Sequence, residues 1–391
     1  MTPDSVPAFA EKLQQLRQQR GLSLRDLAGL AHYGKSYVHE LETGKKPPTP
    51  AIAWRLDEAL NADGHLARLV DQITPSEPVP AVELPRTAGA APMDAHDVML
   101  LHDTVRHLVA LDTMHGSEGL YSNAVRAFRN AHRKLSTVGA RATVRCDAHA
   151  AVAEVGEVAA WLSYDSEHQE VSRQVANEAM LVAQLAGDTS MCRFLLSHLS
   201  MQATYLGRGA EGLDLVDRVM TEGPRSKRVV GMMRVRRARA LGQLGDAVGA
   251  LGELERARGE LAGGVGPDDP AWTWWLHAAE LAVHEARIKA DSGDAPGAVR
   301  ASEQSVLQLP AAQGRDQALY RAWLVSDLVN VRAWREADEV AEQLMERAPV
   351  VGSARVPRIL KLAERRAGRA GAPIWLTEAL REAAEVSDPA V

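Results

Sequence analysis

Five prolines fall within the nineteen residues from Thr74 to Pro92, TPSEPVPAVELPRTAGAAP. Pro75, Pro78, Pro80, Pro85 and Pro92 each remove a backbone donor and restrict φ. No helix can run through such a stretch, so the residues before it and those after it must fold apart. Its composition favours an extended, semi-rigid tether. The chain is therefore expected to hold a small unit at 1–73, a linker at 74–92 and a large C-terminal part. Within that part, 93–149 reads as a helical connector and 150–391 as a repeat domain.

With 391 residues, 46% hydrophobic and 25% charged, both parts can bury ordinary cores. Cys146 and Cys192 stand far apart without CxxC spacing, which argues against a disulfide framework or a zinc cluster. They read as small buried apolar residues in a reducing compartment. The N-terminus lacks a basic leader, and no stretch reaches the roughly 18 apolar residues of a membrane span. A cytoplasmic protein without a membrane partner is expected. The net charge of −6 excludes indiscriminate coating of nucleic acid, so any such contact must come from a local patch.

Beyond the linker, apolar residues recur at spacings of three and four with almost no period-two alternation, so the fold class is all-α. A loose repeat is visible in YLGRGAEGLDLVDRV from Tyr205, LGQLGDAVGALGELERA from Leu241, KADSGDAPGAVRASEQSVLQLP from Lys289 and LVNVRAWREADEVAEQLMERAP from Leu328. Each is a helix end, a turn often carrying Gly and Asp, and a second helix with small residues at close-packing positions. These stretches resemble tetratricopeptide repeats, with Pro310 and Pro349 closing units. With Gly207, Gly245 and Gly293 as equivalent turns, the units lie 38 and 48 residues apart, against about 34 for the standard repeat. Long, irregular hairpins stacked into a curved α-solenoid are expected from about Ala150 onward.

The segment LSLRDLAGLAHYGKSYVHELETG, Leu22 to Gly44, carries a different pattern. Ser23 stands as an N-cap with Asp26 three residues later, a capping-box variant. Leu24, Leu27, Ala28 and Ala31 offer one small or apolar face, the chain breaks at His32-Tyr33-Gly34, and Val38 and Leu41 face inward before Gly44 stops the second helix. Leu13, Leu16 and Arg17 upstream, and Ile52, Leu56 and Leu60 downstream, continue the helical period into a five-helix unit.

This stretch resembles the Cro/repressor-type (XRE) helix-turn-helix domain, a lambda-repressor-like fold. The resemblance implies that the second helix of the pair enters the major groove of double-stranded DNA. It puts Lys35, Ser36 and Glu40 at base-facing sites, with Tyr37 and His39 beside them. Backbone N–H groups at Leu24, with Thr43, Lys45 and Lys46, would contact phosphates and set register. Arg17 and Glu42 occupy the positions of a buried structural ion pair, and His32 stands where the family's turn usually has Gly. Residues 1–70 hold nine Lys/Arg against eight Asp/Glu, so useful affinity calls for two copies on a twofold operator, hence a homodimer.

In the large domain the segment DDPAWTWWLHAAELAVHEARIKA, from Asp268, is the candidate ligand site. On a helix, Trp272 and Trp275 would lie one turn apart, while His277, Glu280 and His284 would share a stripe. The same residues also suit the ordinary roles of core tryptophan and solvated stripe. Neither HExxH nor a Cys/His cluster supports a metal, and no cofactor is indicated. GRGAEG, Gly207 to Gly212, spells GxGxxG but comes after a helical segment rather than a strand, so it reads as a repeat turn. His96, His102, His107 and His115 form no shared face. With no GxSxG, Walker A or catalytic Cys/His arrangement, the chain does not read as an enzyme.

The architecture is similar to that of bacterial, including actinobacterial, regulators that join an XRE head to a tetratricopeptide tail. That resemblance implies a transcriptional regulator whose repeats sense a small-molecule or peptide effector, mediate dimerisation, or both. The alternative is an adaptor whose repeats grip a protein partner and whose head does not read DNA.

Overall fold

The computed structural model describes residues 5–31, 35–45, 53, 56, 59–60, 62, 65–66, 69, 91–117, 119–223, 226–266, 268–309, 313–345 and 353–387. The chain divides into two compact units, Met1–Glu83 and Leu84–Val391. That boundary falls within the proline-rich stretch, of which 74–90 lie outside the described residues.

In the first unit α1 spans Ser5–Gln19, α2 Leu24–Leu30 and α3 Lys35–Glu42. Phe9, Leu13, Leu27, Val38, Leu41, Leu56 and Leu66 are fully buried in one core. Local chemistry sets the helix ends. Ser23 Oγ accepts from the Asp26 N–H at 3.2 Å while Asp26 Oδ2 accepts from the Ser23 N–H at 3.0 Å, the reciprocal cap that starts α2. Gly44 stops α3 at φ 66°, with the Lys45 N–H on Glu40 O at 2.9 Å and the Gly44 N–H on Leu41 O at 3.2 Å. That pair of bonds satisfies two carbonyls the helix end would otherwise orphan. The turn at His32–Gly34 and Ile52 lie outside the described residues.

The second unit is helical throughout its described residues, with one isolated bridge between Met93 and Ala140 and no strand. It opens with α4 (Ala95–His115) and α5 (Tyr121–Thr137). Six antiparallel hairpins come next among the described residues. They pair α6 (Arg145–Asp165) with α7 (Gln169–Ala186), α8 (Thr189–Tyr205) with α9 (Gly209–Thr221), and α10 (Lys227–Gln243) with α11 (Ala247–Leu261). The remaining pairs are α12 (Ala278–Asp291) with α13 (Ala295–Gln308), α14 (Gly314–Asn330) with α15 (Trp334–Met345), and α16 (Arg355–Arg369) with α17 (Ile374–Val386).

Each hairpin turn holds one residue at positive φ: Glu167, Gly207, Gly245, Gly293, Arg332 and Gly371. Successive turns lie 40, 38, 48, 39 and 39 residues apart, so the long step is a single insertion rather than general irregularity. Residues 262–277 make it, and they include a 3-10 turn at Ala271–Trp275. In two turns the Gly precedes an aspartate that caps the next helix: Asp246 accepts from the Gly249 N–H at 2.8 Å and Asp294 from the Gly297 N–H at 2.9 Å. The GxGxxG stretch is likewise a hairpin turn, with Gly207 at φ 81° and Gly209 opening α9. Pro310 and Pro349 lie outside the described residues.

Two expectations need correcting. Residues 93–149 are not a separate connector, because Met93, Leu101, Leu108 and Phe128 join the same hydrophobic core as α6 to α12. Phe128 and Ala179 press so closely on α6 that a Cβ at Gly156 would come within 2.7 Å of each. Cys146 is exposed and Cys192 only partly buried, so neither is the buried apolar residue expected.

The stack also closes on itself. α4 packs against α6 and again against α14, where Arg315 Nη1 donates to Asp112 Oδ2 at 2.7 Å. Arg355 on α16 pairs with Asp165 at the end of α6 at 2.5 Å. Arg358 reaches Glu167 at 3.1 Å. Among the described residues no helix is long and apolar enough to cross a membrane, and no His/Cys/Asp/Glu group is placed to hold a metal ion.

Candidate nucleic-acid interface and ligand cavity

In the first unit, α3 turns one face inward through Val38 and Leu41, both fully buried. It is fixed to α1 by a two-pronged ion pair, Arg17 Nε to Glu42 Oε1 at 2.5 Å and Arg17 Nη2 to Glu42 Oε2 at 3.0 Å. Arg17 Nη1 also donates to Leu22 O at 2.8 Å, which fastens the chain entering α2. A bidentate guanidinium–carboxylate pair sets both distance and rotation, so α3 is held in one orientation. On its outer side His39 is exposed and Glu40 half-buried. The backbone places Lys35 and Ser36 one turn before them, and Tyr37 beside Val38; the side chains of these three lie outside the described residues.

The expected phosphate contacts are less uniform. Lys45 is exposed and Lys46 lies outside the described residues. The Thr43 hydroxyl donates to His39 O at 2.8 Å, so its proton is occupied within α3. Leu24 is partly buried, its side chain packed against the core. At the same helix end the Asp26 N–H is already taken by Ser23.

Residues 8–70 match the family model described as a helix-turn-helix domain. The N-terminal unit is a helix-turn-helix domain. Within it, 41 residues are 44% identical to the HTH-type transcriptional regulator DdrOP3 of Deinococcus deserti. That match covers 10% of this chain and 32% of the relative, so the chain spans about a third of the curated relative it matches. Among solved structures, Bacillus thuringiensis PlcR in complex with the peptide PapR7 and DNA is similar over 77% of this chain and 94% of its own. The identity is 12% and the TM-score 0.38, too low to establish a common fold. The helix-turn-helix domain therefore rests on its own match and core.

The second unit holds a partly open cavity of about 640 Å³ between its helices. Its wall comes from α4, α6, α8, α10, α12, α14 and α16 and from the 3-10 turn. Of the five residues singled out in the sequence, Trp272, Trp275, Glu280 and His284 line it. His277 does not; it caps α12, its Nδ1 accepting from the Glu280 N–H at 3.3 Å. The two tryptophans belong to the 3-10 turn and not to α12, because the helical period is interrupted at Leu276.

Burial governs the electrostatics of this wall. Burial alone would raise Glu280, but hydrogen bonds from His284 (3.0 Å) and Tyr320 outweigh it and bring the carboxyl down to about 2. Burial pushes His284 below the ordinary histidine range and His198 down to about 3, the second helped by the charge of Arg236. Glu157, 3.0 Å from His198, is pushed well up by burial and by the neighbouring Glu154, so burial disfavours the charged form of both partners. Asp112 is raised to about 6 by burial, against the pull of Arg315. Its Oδ2 also accepts from Trp161 Nε1 at 3.0 Å.

Arginines and aromatics alternate along the wall. Arg315 lies 4.9 Å from the centre of Trp161, Arg287 4.4 Å from Trp323 and Arg236 5.2 Å from Trp275. Phe194 stacks on Trp272 with centroids 4.2 Å apart and planes 6° apart. Sequence reading missed Arg236, Arg315, Asp112 and Tyr320. For Arg236 the signal in the sequence was its place beside Met232, Met233 and Val235, which are buried in α10.

Proposed function

We propose that this chain is a sequence-specific DNA-binding transcriptional regulator whose helical-repeat unit binds an effector in its cavity. The observation that carries the reading is the helix-turn-helix domain at 8–70, with α3 pinned by Arg17–Glu42 and His39 facing out. Lys35, Ser36, Tyr37, His39 and Glu40 read bases, and Lys45 and Lys46 meet phosphates. Lysine suits guanine O6 and N7, and Glu40 suits cytosine N4. Because residues 1–70 are nearly neutral, the protein works as a homodimer on a twofold operator. It catalyses nothing and acts in the cytoplasm. By linkage, an effector alters DNA affinity only if it binds the DNA-competent and incompetent states unequally.

The test is a fluorescence-anisotropy titration of full-length protein against DNA from upstream of its own gene, over a salt series, beside a scrambled duplex and Lys35→Ala. Saturable binding that exceeds the scrambled duplex and fails in Lys35→Ala supports the reading. Equal, weak binding to both duplexes, unchanged by Lys35→Ala, overturns it and favours the adaptor.

A further inference from the structure

The arginines of the cavity wall differ in how their charge is balanced. Arg315 is paired with Asp112 and Asp316, Arg355 with Asp165, Arg287 with Asp327, Arg239 with Asp291 and Arg106 with Asp103. Arg236, only 4% exposed, has no carboxylate within ion-pair distance among the described residues. Its Nε donates to Ser197 Oγ at 3.1 Å, and its guanidinium lies over Trp275. Glu280 supplies the field felt by Arg236, yet both its oxygens are engaged, one by His284 and one by Tyr320. A buried guanidinium without a paired anion is costly in isolation. Arg236 lines the cavity, and no hydrogen bond from its two terminal nitrogens is found among the described residues.

We propose that the cavity binds a compact organic acid, its carboxylate on Arg236 and its apolar or aromatic body against the Phe194–Trp272 stack. A guanidinium presents two parallel N–H groups that match one carboxylate. The other charged side chains of the wall are largely paired with one another, and apolar ones such as Val283 and Leu319 stand between them, which suits an apolar body rather than a second charge. About 640 Å³ is the size of a small-molecule site. α4 packs against both α6 and α14 and contributes to the cavity wall, which favours a compact ligand over a long extended peptide. This inference rests on the cavity being the effector site proposed above.

The experiment is isothermal titration calorimetry on the full-length protein with matched pairs: indole-3-acetate, 1-naphthaleneacetate and 4-phenylbutyrate, each against its primary amide. N-acetyltryptophan against its amide stands in for a peptide C-terminus. In at least one of the first three pairs the acid is expected to bind about tenfold or more tighter than the amide. Arg236→Met removes that preference, whereas Arg381→Met, at an exposed pair with Glu364, keeps it. A preference confined to the acetyltryptophan pair overturns the small acid in favour of a peptide terminus. Acids and amides that bind equally, or not at all, overturn the proposal from the wild-type protein alone, even if Arg236→Met fails to fold. No DNA is present, so this outcome is separate from failure of the regulator: an acid that binds without altering DNA affinity would leave the site and remove the sensor.

Discussion

Arg17 shows what one side chain contributes when its partner is buried. Removing it strands the Glu42 carboxylate, whose side chain is 4% exposed, and releases Leu22 O. Arg17→Ala should therefore destabilise the N-terminal unit by about 3 kcal/mol, seen as an early transition in urea unfolding of the full-length protein. His198 is a second case. Held down to about 3 from the ordinary 6.5, it stays neutral in the folded state while the unfolded chain takes up a proton. Its contribution to stability is complete above about pH 6.5 and declines as the pH falls toward 3, by up to about 1.4 kcal/mol per unit. NMR of the ring should show no titration between pH 7 and 5; a midpoint near 6.5 would refute the assignment. The Arg17–Glu42 pair was legible in the sequence because the two residues sit at family positions around a recognisable turn. Arg236 was not, because a charge on a helix reads as solvated until the neighbouring hairpin covers it.

At the scale of elements, the sequence was most informative where backbone chemistry is local. The Gly-Asp turns at 245–246 and 293–294 show it, since the positive φ and the aspartate cap are both properties of a few adjacent residues. The tryptophan segment was misread because whether 271–277 continues α12 depends on what packs beside it. There Arg228 Nη2 donates to Thr273 O at 2.7 Å and captures a carbonyl that a helix would have used. Two glycines separate local from tertiary demands. Gly207→Ala places a side chain in open space at φ 81° and should lower stability by about 1 kcal/mol through backbone strain alone. Gly156→Val drives methyls into Phe128 and Ala179 and should cost about 1–3 kcal/mol or more. Thermal melts of the two variants compare them, and an equal loss would mean that α6 can slide away from α5 and α7.

For the whole molecule, the division at Glu83/Leu84 predicts that the large unit folds without the small one. A chain beginning at Ala91 keeps Met93 and the Asp94 cap of α4 and should melt with the main transition of the full-length protein. A fall of many degrees would mean that the helix-turn-helix domain supports the repeats. The proline-rich stretch announced this division, but the closure of the repeat unit had no such announcement. Asp112 and Arg315 stand 203 positions apart, and only the accumulated curvature of the hairpins brings them together. An open solenoid behaves as a row of neighbours, to which units can be added or lost at little consequence. This one is locked in number. Duplicating a single hairpin between α6 and α14 would carry Arg315 past Asp112 by about 10 Å, the spacing of packed helices. It would also draw Arg355 and Arg358 away from Asp165 and Glu167. Such a lineage should vary by lengthening loops, of which 262–277 is the long one here, and keep its count of hairpins fixed.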